Sequence, residues 1–331
     1  MPKRLLTLLL LLIFATPIYA TTLKIATLAP DGTSWMKMLR SGAEEVEQRT
    51  EGRIKLRFYP GGVMGNDNSV LRKIHIGQLH GGAITAGGLA AIYPDIQLYS
   101  LPFLFRSFDE VDYVRKQMDP ILIHGLEQAG FISYGISEGG FAYLMSQLPL
   151  ARVEELQQRK IWSPEGDQIS LSAFRSIGVS PVPLPLTDVL TGLQTGLIDT
   201  VGSSPVGAIA LQWHTRIKHV ADIPLIYLYG TLVIHEKALK KIAPGDQAIL
   251  KAVMEARFQQ INAKNRQDNL GARAALQQQG IQFYQPMDGE RASWQQLIDK
   301  VEANLKQENR LDPALVQQLQ QLLDSYRKSQ G

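Results

Sequence analysis

The sequence predicts an α/β protein of two lobes that share one construction and face each other across a cleft, as in a clamshell. Two stretches of the chain support this prediction, residues 53–88 and residues 160–205. Each contains an extended segment, a short helix that a glycine ends, and a second extended segment that finishes in small residues. A third stretch, residues 244–279, has the apolar periodicity of one long helix, which predicts a spine along both lobes.

The later of the two matched stretches ends where an open α/β sheet places its ligand. Residues 182–186 (VPLPL) are held extended by two prolines, and Thr187 or Asp188 caps the predicted helix. Gly196 stands where a left-handed C-cap belongs. Residues 197–205 (LIDTVGSSP) begin as a half-buried strand and leave it through small polar residues. Because ligands bind outside the carboxyl ends of such strands, a site is predicted there.

The earlier stretch repeats this order. Residues 53–60 read as a strand, Asn66 or Asp67 caps the helix, Gly77 ends it, and residues 78–88 resume as a strand that finishes in small residues. The alternative is a pair of unrelated strand–helix units, since the order helix, glycine, strand is common.

The remaining elements follow from local patterns. In order, they are a strand at 23–27, a helix capped by Thr33 or Ser34 and ending near Gly52, an apolar run at 96–105, helices at 108–118 and 120–128, strands at 131–136 and 228–234, and helices at 294–305 and 313–326. Residues 138–144 (EGGFAYL) carry the first crossing between lobes, because glycines permit the unusual dihedrals of a crossover.

These crossings give the predicted lobes. They are residues 21–140 with about 228–270, and residues 141–227 with about 271–331. The last helix has a leucine-rich face, which either caps its own lobe or packs on another subunit. The sequence therefore allows a monomer or a homodimer through the C-terminal helix.

Residues 1–20 read as a secretory signal peptide, with a basic start, a short apolar core and a small residue at the cleavage site. Its removal takes Lys3 and Arg4 away and lowers the formal net charge from +3 to +1. Neither nucleic acid nor a membrane surface is therefore an expected partner. The chain has no cysteine, which excludes a lipid-modified anchor, a thiol nucleophile and cysteine metal sites. A periplasmic protein that is not embedded in the membrane is expected.

No motif indicates catalysis or a cofactor. The histidine pairs His75/His80 and His214/His219 are five residues apart, whereas two ligands on one helical face need three or four. Residues 61–66 (GGVMGN) lack the lysine of a phosphate-binding loop. No acid–base pair for an enzyme can be assembled, so the chain is predicted to be a solute receptor without a cofactor.

Several segments together resemble the DctP-type solute-binding proteins of tripartite ATP-independent periplasmic (TRAP) transporters, over residues 23–325. The matching segments are residues 58–66 (FYPGGVMGN), 101–105 (LPFLF), 138–141 (EGGF), 160–164 (KIWSP) and 182–201, which ends in GLIDTV. The resemblance implies two lobes that close around a solute, and delivery of that solute to TRAP permease subunits in the membrane.

The chain departs from the family pattern at the positions that bind the solute. Most members read Lys-Ile-Arg-Val-Pro where this chain reads KIWSP, so Trp162 replaces the arginine that binds a substrate carboxylate. Many members also carry arginine after Gly-Gly-Phe, where this chain has Ala142. A carboxylate enclosed without a cationic partner loses several kcal/mol of hydration. The ligand is therefore predicted to be neutral, apolar or aromatic, or else cationic and held by aromatic faces.

The predicted ligand contacts lie at strand ends and around the aromatic substitution. They are Thr27, Ala86, Phe141, Ala142, Tyr143, Trp162, Leu186, Ser203, Ser204 and Trp213. One alternative is an organic acid bound by a relocated basic residue such as Arg175. Another is a ligand-sensing receptor of the cell envelope that serves no transporter.

Overall fold

A computed structural model describes residues 20–150, 152–285 and 289–330. The strands are β1 (Thr21–Thr27), β2 (Ile54–Tyr59), β3 (Gly81–Thr85), β4 (Phe131–Ser146), β5 (Trp162–Pro164), β6 (Val182–Leu184), β7 (Thr200–Ser203), β8 (His219–His235) and β9 (Gln282–Tyr284). The helices are α1 (Ser34–Arg49), α2 (Asp67–His75), α3 (Ala86–Leu89), α4 (Phe108–Gln128), α5 (Gln168–Ser176), α6 (Val189–Thr195), α7 (Pro205–Ala210), α8 (Glu236–Leu239), α9 (Pro244–Gln278), α10 (Arg291–Glu308) and α11 (Pro313–Gln330). The predicted signal peptide lies outside the described residues, apart from Ala20.

Two long antiparallel strands tie the lobes together. β4 and β8 have 16 and 17 residues and pair from Phe131 opposite His235 to Ser146 opposite His219. The main sheet has the order β2-β1-β3-β8-β4-β7, with β9 beside β8, and β5 and β6 form a separate parallel pair. The clamshell with crossing strands is thus confirmed. The returning strand is longer than residues 228–234, because β8 begins in the second lobe.

Several predicted helix ends are confirmed by capping bonds. Thr33 accepts a hydrogen bond from the Met36 amide at 3.4 Å, and Asn66 accepts one from the Ser69 amide at 3.0 Å. Gly196 ends α6 in the left-handed conformation, with φ of 72°.

Two expectations around α6 differ from the structure in detail. Asp188, one of the two predicted capping residues, occupies the N-cap position, but its side chain makes no capping hydrogen bond, and it ends a short 3-10 turn, Leu186–Asp188, that precedes the helix. The next strand also begins three residues late, at Thr200. The reason is that the chain after Gly196 still closes on the helix, and the Ile198 amide donates to the Gly192 carbonyl at 3.2 Å.

The region predicted as two helices, 108–118 and 120–128, is the single helix α4. Pro120 lies inside it. A proline removes one intrahelical hydrogen bond, but the apolar face continues without interruption across it. Its fully buried members are Val111, Val114, Met118, Leu122 and Leu126. Burial of this face stabilises the continuous helix.

The predicted spine is confirmed as α9, a helix of 35 residues. Near its start it packs on α1, and Leu250 and Phe258 belong to the first-lobe core. Near its end it reaches α7, and Leu276 belongs to the second-lobe core. In between, Asn262 donates to the Ile136 carbonyl of β4 at 3.0 Å. The helix therefore spans both lobes and the crossing between them.

The C-terminal helix packs on the first lobe, whereas the predicted division placed residues 271–331 in the second. Leu319 and Leu323 share a core cluster with Val111 of α4, and the Arg327 guanidinium pairs with Glu110 at 2.8 Å. The leucine-rich face of α11 is therefore covered by α4 of its own chain. In the part of the chain that the structure describes, no helix has the length and apolarity to cross a membrane.

Candidate functional site

An interlobe cavity of about 770 Å³ lies where the strands of both lobes end. The first lobe contributes the carboxyl ends of β1 and β3, at Thr27 and Thr85, and the second contributes that of β7, at Ser203. The crossing strands β4 and β8 form its inner side through residues such as Gly139 and Leu228. This position agrees with the rule for ligand sites of open α/β sheets, and the volume suits a drug-sized molecule.

Seven of the ten predicted contact residues line this cavity. They are Thr27, Ala86, Trp162, Leu186, Ser203, Ser204 and Trp213. Residues 86–88 were predicted to end a strand, but they form the first turn of α3, and Ala86 lines the cavity from that turn. Thr85 caps that turn by accepting from the Gly88 amide at 3.1 Å.

Phe141, Ala142 and Tyr143 are absent from the cavity lining. Phe141 is buried against the rings of Phe108 and Tyr227, at centroid distances of 4.9 and 5.8 Å. Ala142 is fully buried. The cavity is lined instead by residues 137–139, earlier on β4. The pairing of β4 with β8 is irregular between Glu138 and Gly140, which sequence alternation does not signal.

Trp162 contributes apolar surface and no free polar group. It is only 6% exposed, and its indole N–H donates to the Leu184 carbonyl of β6 at 2.9 Å. Its ring meets that of Trp213 edge to face, with centroids 5.2 Å apart. The aromatic pair is thus fixed in place at the position where the family resemblance expects a carboxylate-binding arginine.

A few hydroxyl groups also line the cavity, among them those of Thr27 and Ser204. The Thr27 oxygen accepts from the Ala29 amide at 3.1 Å, and the Ser204 oxygen accepts from the Gly207 amide at 3.3 Å as the cap of α7. Each keeps its own O–H as a donor without an acceptor among the described residues. These hydroxyls can donate hydrogen bonds to a ligand.

The charged residues of the described lining are mainly acidic. They are Asp67, Glu138, Glu165, Asp167 and Arg310. Glu138 is compensated by Arg266, whose Nε donates to it at 2.6 Å. Arg310 is compensated by Glu308, with 2.5 Å between Nε and the carboxylate. No unpaired cation therefore lines the described cavity.

Arg310 was missed by sequence reasoning, and Arg175 was named in error as a candidate for the cavity. Arg175 is exposed at the end of α5 and does not line the cavity. Arg310 lies between α10 and α11, more than a hundred residues beyond the stretches that predicted the site. Only the packing of α11 on the first lobe brings it there, and no local motif signals that contact.

Asp67 is a half-buried carboxylate of the cavity, in the first turn of α2. Its Oδ2 accepts from the Thr85 hydroxyl at 2.7 Å and from the Thr85 amide at 3.3 Å. Burial raises the pKa of Asp67 to about 6, and the two hydrogen bonds from Thr85 partly offset that rise. A Cβ at Gly88 would lie 2.4 Å from Oδ2, so the glycine is what leaves room for the carboxylate.

Two hydrogen bonds join the lobes across the cavity. The Asn66 amide nitrogen donates to Glu165 at 2.8 Å, and the Gln97 amide nitrogen donates to Asp167 at 3.0 Å. The Asp167–Gln97 bond is buried, and the same carboxylate caps α5 by accepting from the Ser170 amide at 3.1 Å. The two bonds favour the closed arrangement of the lobes.

Replacing Glu165 by Ala is expected to shift the unliganded protein toward a more open arrangement, because one interlobe hydrogen bond is lost. Such a bond contributes about 0.5–1.5 kcal/mol, which changes a population ratio by roughly two- to tenfold. Small-angle X-ray scattering should show a larger radius of gyration. Glu154→Ala, an exposed change in the same lobe, is the control, and identical curves for both variants would contradict the role of the bond.

The described residues contain no group of three or more acidic, histidine or cysteine side chains suited to a metal ion. What the cavity offers is a large apolar space with aromatic and hydroxyl contacts and a few carboxylates. That arrangement suits the enclosure of a small organic molecule.

The fold and this site define the class of a two-lobed extracytoplasmic solute-binding protein. The family model of the bacterial extracellular solute-binding proteins, family 7 (DctP), matches residues 25–309, and the chain belongs to that family. These are the solute-binding proteins of TRAP transporters, which bind small solutes and work with membrane permease subunits. The family is periplasmic and is one of transport proteins, not of enzymes.

Individual relatives agree with this assignment. The sialic acid-binding periplasmic protein SiaP of Vibrio cholerae is 24% identical over 242 residues, covering 71% of this chain and 74% of SiaP. A TRAP solute-binding protein from Xanthobacter autotrophicus, with bound β-D-galacturonate, superposes with a TM-score of 0.83 at 18% sequence identity. The match covers 91% of this chain and 99% of that protein. The sugar acid binding protein of Advenella mimigardefordensis, in complex with galactonate, superposes with a TM-score of 0.85 at 17% sequence identity. The match covers 93% of this chain and 99% of that protein.

Proposed function

We propose that this protein captures a solute with an apolar or aromatic body, and not a simple organic acid, for delivery to a TRAP permease. One observation carries the proposal: the described cavity lining holds carboxylates and a paired arginine but no free cation. Trp162, with its N–H bonded to Leu184, lies where the family resemblance places the carboxylate-binding arginine.

The physical argument concerns desolvation. The solved relatives named above hold galacturonate and galactonate, and both of these ligands carry a carboxylate. A carboxylate transferred from water into a closed cavity costs several kcal/mol unless a cation and hydrogen bonds compensate it. Here Asp67 and Glu165 would add repulsion to that cost. An apolar body, in contrast, gains free energy from contact with Trp162, Leu186 and Leu228.

Titration with a neutral aromatic probe and with a sugar acid tests the proposal. N-phenyl-1-naphthylamine, which fluoresces in apolar surroundings, is expected to bind in the micromolar range and to accept energy from Trp162 and Trp213. D-galacturonate is expected to give no heat in calorimetry and no shift of the thermal midpoint at millimolar concentration. Micromolar binding of galacturonate, a dicarboxylate or sialic acid would overturn the proposal.

A second candidate is capture of an acid by Arg310, and one observation favours it. Arg310 lines the cavity, and its two terminal nitrogens have no hydrogen-bond partner among the described residues. Such binding requires the ligand carboxylate to compete with Glu308, which is also held by the Ser172 hydroxyl at 2.7 Å. If this candidate were correct, Arg310→Gln would abolish any affinity measured for an acid.

A further inference from the structure

Asp67 is a carboxylate of the cavity lining that no cation among the described residues pairs with. Resting on the proposed function, we infer that the ligand carries a protonated amine at one end of its apolar body and that Asp67 receives it. The inference adds a substrate class, an amphipathic amine, and a specificity-determining residue to the proposed capture of an apolar solute.

Carboxylates from both lobes flank the first turn of α3. A Cβ built on Gly87 would lie 3.5 Å from the Asp167 Cβ, and one built on Gly88 would lie 2.4 Å from the Asp67 Oδ2. The two glycines have no side chains, so Asp167 approaches the turn from the second lobe and Asp67 from the first. Both carboxylates line the cavity there.

Of Asp67 and Asp167, Asp67 keeps the larger unused capacity to accept hydrogen bonds. Asp167 accepts from Gln97 and from both the amide and the hydroxyl of Ser170. Asp67 accepts only through Oδ2, from Thr85. Its Oδ1 has no donor among the described residues, and no cation pairs with the group. A half-buried carboxylate oxygen without a donor, facing a ligand cavity, is the partner that an ammonium group requires.

The charge of the remaining lining supports an amine over an acid. Glu165 is the other carboxylate without a cation, and its hydrogen bond comes from the neutral Asn66 amide. Arg310 does not make the lining favourable for an anion, because Glu308 already neutralises its positive charge. The lining also includes the aromatic pair Trp162 and Trp213, in edge-to-face contact. The cavity therefore offers both a carboxylate for a cation and aromatic surface for a hydrophobic body.

Three probes with one aromatic body and different ends test this assignment: 1-naphthylmethylamine, 1-naphthalenemethanol and 1-naphthoate. At pH 8, competition against N-phenyl-1-naphthylamine is expected to give the amine at least tenfold tighter binding than the alcohol, and the acid the weakest binding. Asp67→Asn is expected to remove the advantage of the amine and to leave the alcohol unchanged. Asp109→Asn, which removes an exposed carboxylate from the first turn of α4 outside the cavity, is the matched control and should keep the advantage.

A pH profile on the wild-type protein gives a second readout that does not depend on any variant folding. Since burial holds the pKa of Asp67 near 6, protonation below that pH removes its charge, and affinity for the amine is expected to fall about tenfold per pH unit. Affinity for the alcohol should stay constant.

The other titratable groups facing Asp67 are few. Glu165 and Asp167 come from the second lobe, Lys73 of α2 is bonded to the Met64 carbonyl, and β3 and α3 contribute none. A flat profile in Asp67→Asn, against a falling one in Asp109→Asn, would assign the titration to Asp67.

The possible results distinguish a failure of this inference from a failure of the proposed function. If the alcohol binds and the amine has no advantage, or if its advantage survives in Asp67→Asn, the inference is wrong and capture of an apolar solute stands. If 1-naphthoate binds tightest, both are wrong. If wild-type affinity for the amine does not change between pH 5 and pH 8, Asp67 is not its partner.

Discussion

Replacing Trp162 by arginine is expected to give the cavity affinity for sugar acids that the wild-type protein lacks. The side chain at this position lines the cavity, so a guanidinium there would supply the cation that the described lining is missing. Removing one member of a buried charge pair typically costs about 2–5 kcal/mol. Adding the absent member should therefore tighten D-galacturonate binding by at least tenfold.

The same substitution is expected to lower the thermal midpoint of the unliganded protein. Trp162 is buried and packs on Trp213, and loss of a buried aromatic side chain typically costs about 3–5 kcal/mol. Galacturonate should then restore part of the stability of Trp162→Arg. Trp162→Ala opens similar space without a charge, and Trp162→Phe keeps an aromatic ring without the N–H that bonds Leu184. If Trp162→Ala gained the same affinity as Trp162→Arg, space and not charge would exclude acids.

Replacing Glu138 by Ala is expected to lower the free energy of unfolding by about 3–5 kcal/mol, because the change removes the fully buried anion that the Arg266 guanidinium and the Tyr227 hydroxyl share. The Glu138 side chain is fully buried on the crossing strand β4. It accepts from the Arg266 guanidinium at 2.6 Å and from the Tyr227 hydroxyl at 2.7 Å, and Arg115 lies 3.8 Å away. Burial raises the pKa of Tyr227 well above its usual value, so the phenol stays a donor.

Asp112 provides a matched control for Glu138. It pairs with the same Arg266, at 2.6 Å, but its side chain is 57% exposed, so Asp112→Ala should cost less than about 1 kcal/mol. Urea unfolding followed by circular dichroism measures both. Equal midpoints for the two variants would contradict the view that the buried carboxylate anchors β4 to α9, two of the elements that link the lobes.

Much of the fold could be predicted because the features that begin, end and orient its helices are encoded in short stretches of sequence. The Thr33 and Asn66 caps, the left-handed Gly196 and the periodicity of residues 244–279 each act within a few turns of chain. Pro120 shows the limit of such signals. Taken alone it predicts a break, and only the tertiary burial of the α4 face keeps the helix continuous.

The candidate site was predictable where strands end and unpredictable where distant segments meet. Trp162, Ser203 and Ser204 follow from the strand-end rule and line the cavity. Arg310 and the interlobe bond from Gln97 to Asp167 depend on contacts over 70 residues or more, which no local pattern encodes.

Residues 141–143 mark a second limit of sequence reasoning. The part of β4 that lines the cavity is residues 137–139, and the predicted residues lie further along the strand. The assignment of ligand contacts to the remaining predicted residues stays a prediction until a ligand is seen.

Identification of the molecule that co-purifies with the protein tests the central claim most directly. The protein would be isolated from the periplasm without denaturation, weighed intact by native mass spectrometry, and then unfolded to release the ligand for accurate mass analysis. The account predicts one bound molecule with an apolar or aromatic body and no free carboxylate. A stoichiometric sugar acid or dicarboxylate would contradict it.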